Sequence, residues 1–135
     1  MASKKTILVD TNVLLRLFLR DIEDQFDQSR KFFDQVEKGE VVAEISILVL
    51  NELIWIMETY YEKNRAEYLD PILNILSLKS VKILDADKKN TIKILKMMLI
   101  HRLDFTDLYL WIIGTKKGEK IISFDKKLNR LIDKA

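Results

Sequence analysis

The chain has 135 residues, 23 of them basic and 21 acidic, with a net charge of +2 and a hydrophobic fraction of 48%. That length suits one domain able to bury about two-thirds of its unfolded surface, and the charge balance neither demands nor forbids nucleic acid. Absence of cysteine excludes disulfides and zinc–thiolate sites, no apolar run approaches the ~20 residues of a membrane span, and "MASKK" opens no secretory signal, so the expectation is a cytoplasmic protein with no membrane association.

The first element is a strand over Thr6 to Val9, and the chain then passes through Asp10, Thr11 and Asn12 into a helix over Val13 to Leu19. A second helix fits "DQFDQSRKFFDQVEKG", where Gly39 suits the left-handed residue past a helix end. Val41 to Ile45 reads as the next strand, followed by a helix from Ile47 to about Tyr61 with Ser46 as N-cap. "NRAE", from Asn64, has capping-box spacing and starts a fourth helix, which Pro71 should kink or restart.

Val81 to Leu84 is the third expected strand. A long helix follows Asp87, from about Lys88 to Arg102. Another covers Phe105 to Lys117 and stops at Gly118, and Lys120 to Ser123 is the fourth expected strand. Lys126 to Ile132 is the last helix. Short apolar runs alternating with helices predict an α/β fold with a covered parallel sheet in one domain over 1–135.

Ligands of open α/β sheets bind beyond the carboxyl ends of the strands. Asp10 stands at one such end, and Asp125 stands at another, in "IISFDKKL". Glu52 lies in "SILVLNELIWIME" between Leu48, Val49, Trp55 and Ile56, the neighbours three and four residues away on one helix face. That placement predicts a glutamate turned into an apolar stripe, where an unpaired charge is costly. In "RLDFTDLYLWII", Asp104 reads as the helix N-cap and Asp107 as an inward acid beside Leu110 and Trp111. His101, the sole histidine, reads as a surface residue.

Carboxylates gathered at one crevice cannot all stay ionised unless a cation joins them. All-oxygen ligation favours a hard metal, Mg²⁺ or Mn²⁺. Such a metal polarises a phosphoryl oxygen and activates water, which is the chemistry of phosphodiester hydrolysis. Thr11, Asn12, Ser46 and Ser123 would then support the acids or orient substrate.

In "LVDTNVLL", "SILVLNEL", "DFTDLYL" and "IISFD", in that order, the chain resembles the PIN domains, and among them the VapC-type toxin ribonucleases. The resemblance spans nearly the whole chain. It implies that Asp10, Glu52, Asp107 and Asp125 form a catalytic cluster holding one or two Mg²⁺ or Mn²⁺ ions. It also implies a four-stranded sheet in the order 3-2-1-4, covered by about seven helices. Ser123 stands where threonine is more usual in that family, keeping the hydroxyl, and Leu108 is bulkier than the small residue often found after the third acid.

The same resemblance implies an RNA substrate, a cognate antitoxin protein and a homodimer. Trp55, Tyr60 and Tyr61 are candidates to line an antitoxin groove, although aromatic residues at helical spacing more often belong to a core. Arg16, Arg20, Lys126 and Lys127, with Lys116, Lys117 and Arg130, are candidates to contact phosphates. The expected function is therefore a metal-dependent endoribonuclease, the toxin of a type II toxin–antitoxin system. The alternatives are a PIN nuclease of RNA processing or decay and a non-catalytic RNA- or protein-binding module. A response-regulator receiver would need an acidic pair after the first strand, and a dehalogenase-like phosphatase would need a second acid at Asn12.

Overall fold

A computed structural model describes residues 4–134, which divide into two units at residues 88 and 89. Unit 1 contains β1 (Thr6–Leu8), α1 (Thr11–Leu19), α2 (Glu23–Glu37), β2 (Val42–Ile45), α3 (Ile47–Thr59), α4 (Arg65–Leu76) and β3 (Val81–Ile83). Unit 2 contains α5 (Lys88–Met98) apart from its first residue, α6 (Phe105–Lys117) and α7 (Lys126–Asp133). No helix among the described residues is long and apolar enough to cross a membrane.

The sheet of unit 1 is parallel, in the order β1-β2-β3, with Ile7 opposite Ala43 and Ala43 opposite Val81. Its central strand behaves as a covered strand should, with Ala43 and Ile45 fully buried. Helices α1, α3 and α4 supply Leu14, Leu50, Leu53, Ile72 and Leu76, which gather around Ile45. Each such buried aliphatic side chain contributes about 1.5–3 kcal/mol of transfer free energy, and that packing fixes where the strand ends point. β1 is an edge strand with Thr6 and Leu8 exposed, so the expectation of burial on both faces fails there.

The expected fourth strand does not form. Residues 119–125 run without strand or helix, and the described sheet has three strands rather than four in the order 3-2-1-4. Ile122 and Phe124 are 94% and 99% exposed. Strand propensity is largely a measure of how a residue packs on its neighbours, and here the isoleucine-rich run finds no ladder. Its backbone instead bonds locally: Glu119 N–H donates to the Gly114 carbonyl at 2.9 Å and Asn129 Nδ2 donates to the Ser123 carbonyl at 2.9 Å.

Several helix starts follow the capping chemistry, although α2 begins after Ile22, which makes no side-chain cap bond. Asn64 and Glu67 make the reciprocal capping box of α4, and that helix continues through Pro71 as one element. α5 is shorter than expected, ending at Met98 instead of near Arg102. Ile100 N–H and His101 N–H both turn back to the Met97 carbonyl, leaving Leu99 and Ile100 exposed. Gly118, at φ +66°, closes α6 in the left-handed region that a residue without Cβ reaches at little cost.

Candidate acidic site

In unit 1, Asp10 stands two residues past the end of β1, and its Oδ1 accepts the Thr11 N–H at 2.8 Å as the N-cap of α1. The strand ladder holds it there, since Val9 N–H donates to the Glu44 carbonyl at 3.0 Å. Thr11 is buried, whereas Asn12 is exposed beside it. Ser46 begins α3 after β2: its Oγ accepts the Leu48 N–H at 3.0 Å and donates to Asp85 Oδ2 at 2.7 Å.

Asp85 was not foreseen as part of this region. Its Oδ1 accepts the Ile47 N–H at 2.8 Å, so one carboxylate past the end of β3 clamps both Ser46 and the start of α3. The signal was present in "ILDADKK", where an acid follows a strand as Asp10 follows β1. At the sequence level Asp87 is marked only as the residue before the next helix, and Asp85 is passed over.

Glu52 is exposed, contrary to the expectation of an inward glutamate. The buried stripe of α3 is Leu50, Leu53, Ile54 and Met57, while Leu48 and Trp55 are 73% and 63% exposed. A helix apolar on nearly every face offers two candidate stripes at helical spacing, and spacing alone cannot choose between them. Glu52 therefore stands on an open apolar face and meets no burial penalty.

The expected phosphate contacts on α1 already have partners. Arg16 donates to both oxygens of Asp21 at 3.0 and 2.8 Å and through Nε to Gln25 at 3.0 Å. Its hydrogen bonds to Tyr61 and Asp21 raise its pKa further. Arg20 pairs with Glu23 at 3.2 Å and lies over the Phe26 ring. Tyr60 is exposed and Tyr61 is half-buried.

Unit 2 gathers the other acids. Asp104 is the N-cap of α6, its Oδ1 accepting the Asp107 N–H at 2.9 Å, as its position before Phe105 predicts. Asp125 is the N-cap of α7, its Oδ1 accepting the N–H groups of Lys127 and Leu128 at 2.8 and 3.2 Å. Ser123 Oγ accepts the Asp125 N–H at 3.0 Å, so the serine orients the aspartate through the backbone.

Asp107 is half-buried, and its carboxyl is pushed up to about 6. Burial contributes most, followed by the charge of Asp104 and a hydrogen bond to its side chain, then the charge of Asp125. Such crowding is what a bound cation relieves. Carboxylate oxygens are the donors a hard divalent ion takes, so the chemistry of Asp107 and Asp125 fits Mg²⁺ or Mn²⁺. Among the described residues, no three acids or histidines lie close enough together to hold one. Asp10 and Glu52 belong to unit 1, Asp107 and Asp125 to unit 2. Lys126 and Lys127 are exposed at the start of α7.

A short parallel sheet flanked by helices, with aspartates capping the helices that follow β1 and the 119–125 segment, defines an α/β protein carrying acids at element ends. The chain belongs to the PIN domain family, which it matches over residues 7–134. That match runs through both units and carries a nuclease-type, hydrolytic function with it. No curated protein and no solved structure matches the chain.

Proposed function

We propose that this PIN domain is a metal-dependent endoribonuclease, the toxin of a type II toxin–antitoxin pair acting in the cytoplasm on an RNA substrate. The observation that carries the reading is Asp107, half-buried and held near pKa 6 between Asp104 and Asp125. Stability alone does not select such an arrangement, whereas function often holds like charges together. In this reading Asp10, Glu52, Asp107 and Asp125 hold Mg²⁺ or Mn²⁺ in one domain over 1–135. The ion would supply phosphoryl polarisation and an activated water.

The chain's own residues have separable tasks. Asp125 and Asp10 each spend Oδ1 on a helix cap, which fixes the carboxylate plane. Ser123 sets the backbone of Asp125, and Ser46, clamped by Asp85, sets the start of the helix that carries Glu52. Thr11 and Asn12 flank Asp10 to orient its carboxylate or the substrate. Lys126 and Lys127 meet phosphates, as do Arg16 and Arg20 where their acidic partners release them. The exposed Leu48, Trp55 and Tyr60 support protein partners, an antitoxin and a second copy of the chain, because large apolar side chains clustered on a surface commonly mark an interface.

The test is cleavage of a labelled single-stranded RNA by purified protein with Mn²⁺ and with EDTA. Wild type should cut only with metal, and Asp10→Asn should bind RNA without cutting it. Cleavage that persists in Asp10→Asn, or in EDTA, refutes the mechanism. Growth arrest on expression, relieved by a co-expressed neighbouring gene product, tests the toxin assignment separately.

A further inference from the structure

Unit 2 contains a second charged feature. A cavity of about 270 Å³ opens between the α5–α6 connection and one face of α7, lined by His101, Arg102, Leu103, Lys127, Arg130 and Lys134, with Leu131 beside them. No acidic side chain lines it. Arg102, Lys127, Arg130 and Lys134 are exposed and form no ion pair among the described residues. The sequence singled out Lys127 and Arg130 but set His101 aside and passed over Arg102 and Lys134. Only the fold brings the two segments to one cleft.

Its construction is partly unfavourable to the fold, although Arg130 and Lys134 stand at the end of α7 where the dipole favours cations. Lys127 and Arg130 on the last helix and Lys134 at its C-cap recur at helical spacing, while Leu128 is the buried residue of that helix. Like charges three or four residues apart on a helix repel. Lys126 and Lys127 also stand at the positive end of the α7 dipole, where cations are disfavoured. Both walls run directly into the acids: Arg102 and Leu103 precede Asp104, and Asp125 precedes Lys126 and Lys127. The geometry points to this cleft as the track for the sugar–phosphate backbone of the RNA strand that enters the acidic site. This assignment rests on the nuclease reading. A file of cations along one helix face matches a polymer with a regularly repeated anion. Two leucines offer little to the side chains of a peptide, and guanidinium groups such as those of Arg102 and Arg130 fork onto phosphate oxygens.

The test is the salt dependence of RNA binding by the full chain, measured by anisotropy with a labelled single-stranded RNA, in protein carrying Asp10→Asn to prevent turnover. For a single strand, each phosphate that the protein no longer neutralises should lower the slope of log K against log salt by about 0.7. Arg102→Gln, Arg130→Gln and Lys134→Gln together should therefore flatten the slope by about 2. Lys31→Gln, Lys38→Gln and Lys79→Gln remove equal charge from exposed positions in unit 1 and should leave it unchanged. Equal flattening in both variants would reduce the effect to net charge and overturn the assignment, as would an unchanged slope or no RNA binding. Polyglutamate competing as well as RNA at matched charge would assign the cleft to an acidic protein instead. RNA cleavage by wild type with an unchanged slope would remove the cleft and leave the nuclease. A flattened slope without cleavage would do the reverse.

Discussion

Asp107 gives the sharpest stability prediction, because its carboxyl is raised to about 6 in the metal-free protein. A raised carboxyl means that the folded state resists ionisation more than the unfolded chain, whose carboxyls titrate near 4. The folded protein therefore carries a penalty fully present above pH ~6, shrinking as pH falls from there and absent below pH ~4. In a dry interior a rise of this size corresponds to about 3 kcal/mol. Asp107 is only half-buried, and solvent screening lowers the expectation to about 1 kcal/mol. Asp107→Asn keeps the shape, removes the charge and retains a donor towards Asp104. In EDTA at pH 7.5 it should raise the melting temperature by about 3–5 °C, and at pH 4 the gain should vanish. Asp104→Ala should move the other way, losing about 1 kcal/mol of cap less whatever repulsion it relieves. Thermal melts by circular dichroism at both pH values decide the matter. A destabilised Asp107→Asn at pH 7.5, or a gain that persists at pH 4, would refute the electrostatic reasoning.

Asp85→Ala removes the acceptor of both the Ser46 hydroxyl and the Ile47 N–H. It should cost about 1–2 kcal/mol in urea unfolding, and a change below 0.3 kcal/mol, roughly the noise of such comparisons, would show that Ser46 caps α3 unaided. Gly114→Ala places a Cβ 2.8 Å from the Ile121 side chain and 3.3 Å from the Glu119 carbonyl. Overpacking of this kind should cost about 1–3 kcal/mol, read as a lower midpoint at unchanged m-value, and an unchanged midpoint would mean that the 119–125 segment yields freely.

The helix starts were legible because capping is local: Ser46, Asn64, Asp104 and Asp125 each meet a donor within three residues in the chain. The absence of a strand over Lys120 to Ser123 was not legible, because a four-residue run with two isoleucines carries propensity but not the edge it would pair with. Glu52 was misread for a related reason. Its helix is apolar on two faces, and the choice between them is made by packing against α1 and α4, which the spacing within α3 does not record. The candidate acids were chosen from strand ends, helix faces and order along the chain, whereas Asp85, which follows β3 as Asp10 follows β1, was passed over.

One physical device recurs at three of these acids and explains how the fold tolerates them. Asp10, Asp104 and Asp125 each give Oδ1 to the first turn of a helix, where an anion also meets the positive end of the dipole. A cap contributes about 1 kcal/mol, and favourable dipole placement adds about 0.3–1 kcal/mol. Together these are comparable with the repulsion assigned above to Asp107. The acids that hold the helices in place thus offset the strain at Asp107, which caps nothing. The capping hydrogen bonds of Asp10 and Asp125 run through Oδ1 and leave Oδ2 to spare, so one carboxylate can serve the fold through one oxygen and a ligand through the other. Asp107 has no such double role. Its position is unfavourable to the isolated protein, so under the proposed nuclease reading its substitution should separate stability from activity most cleanly.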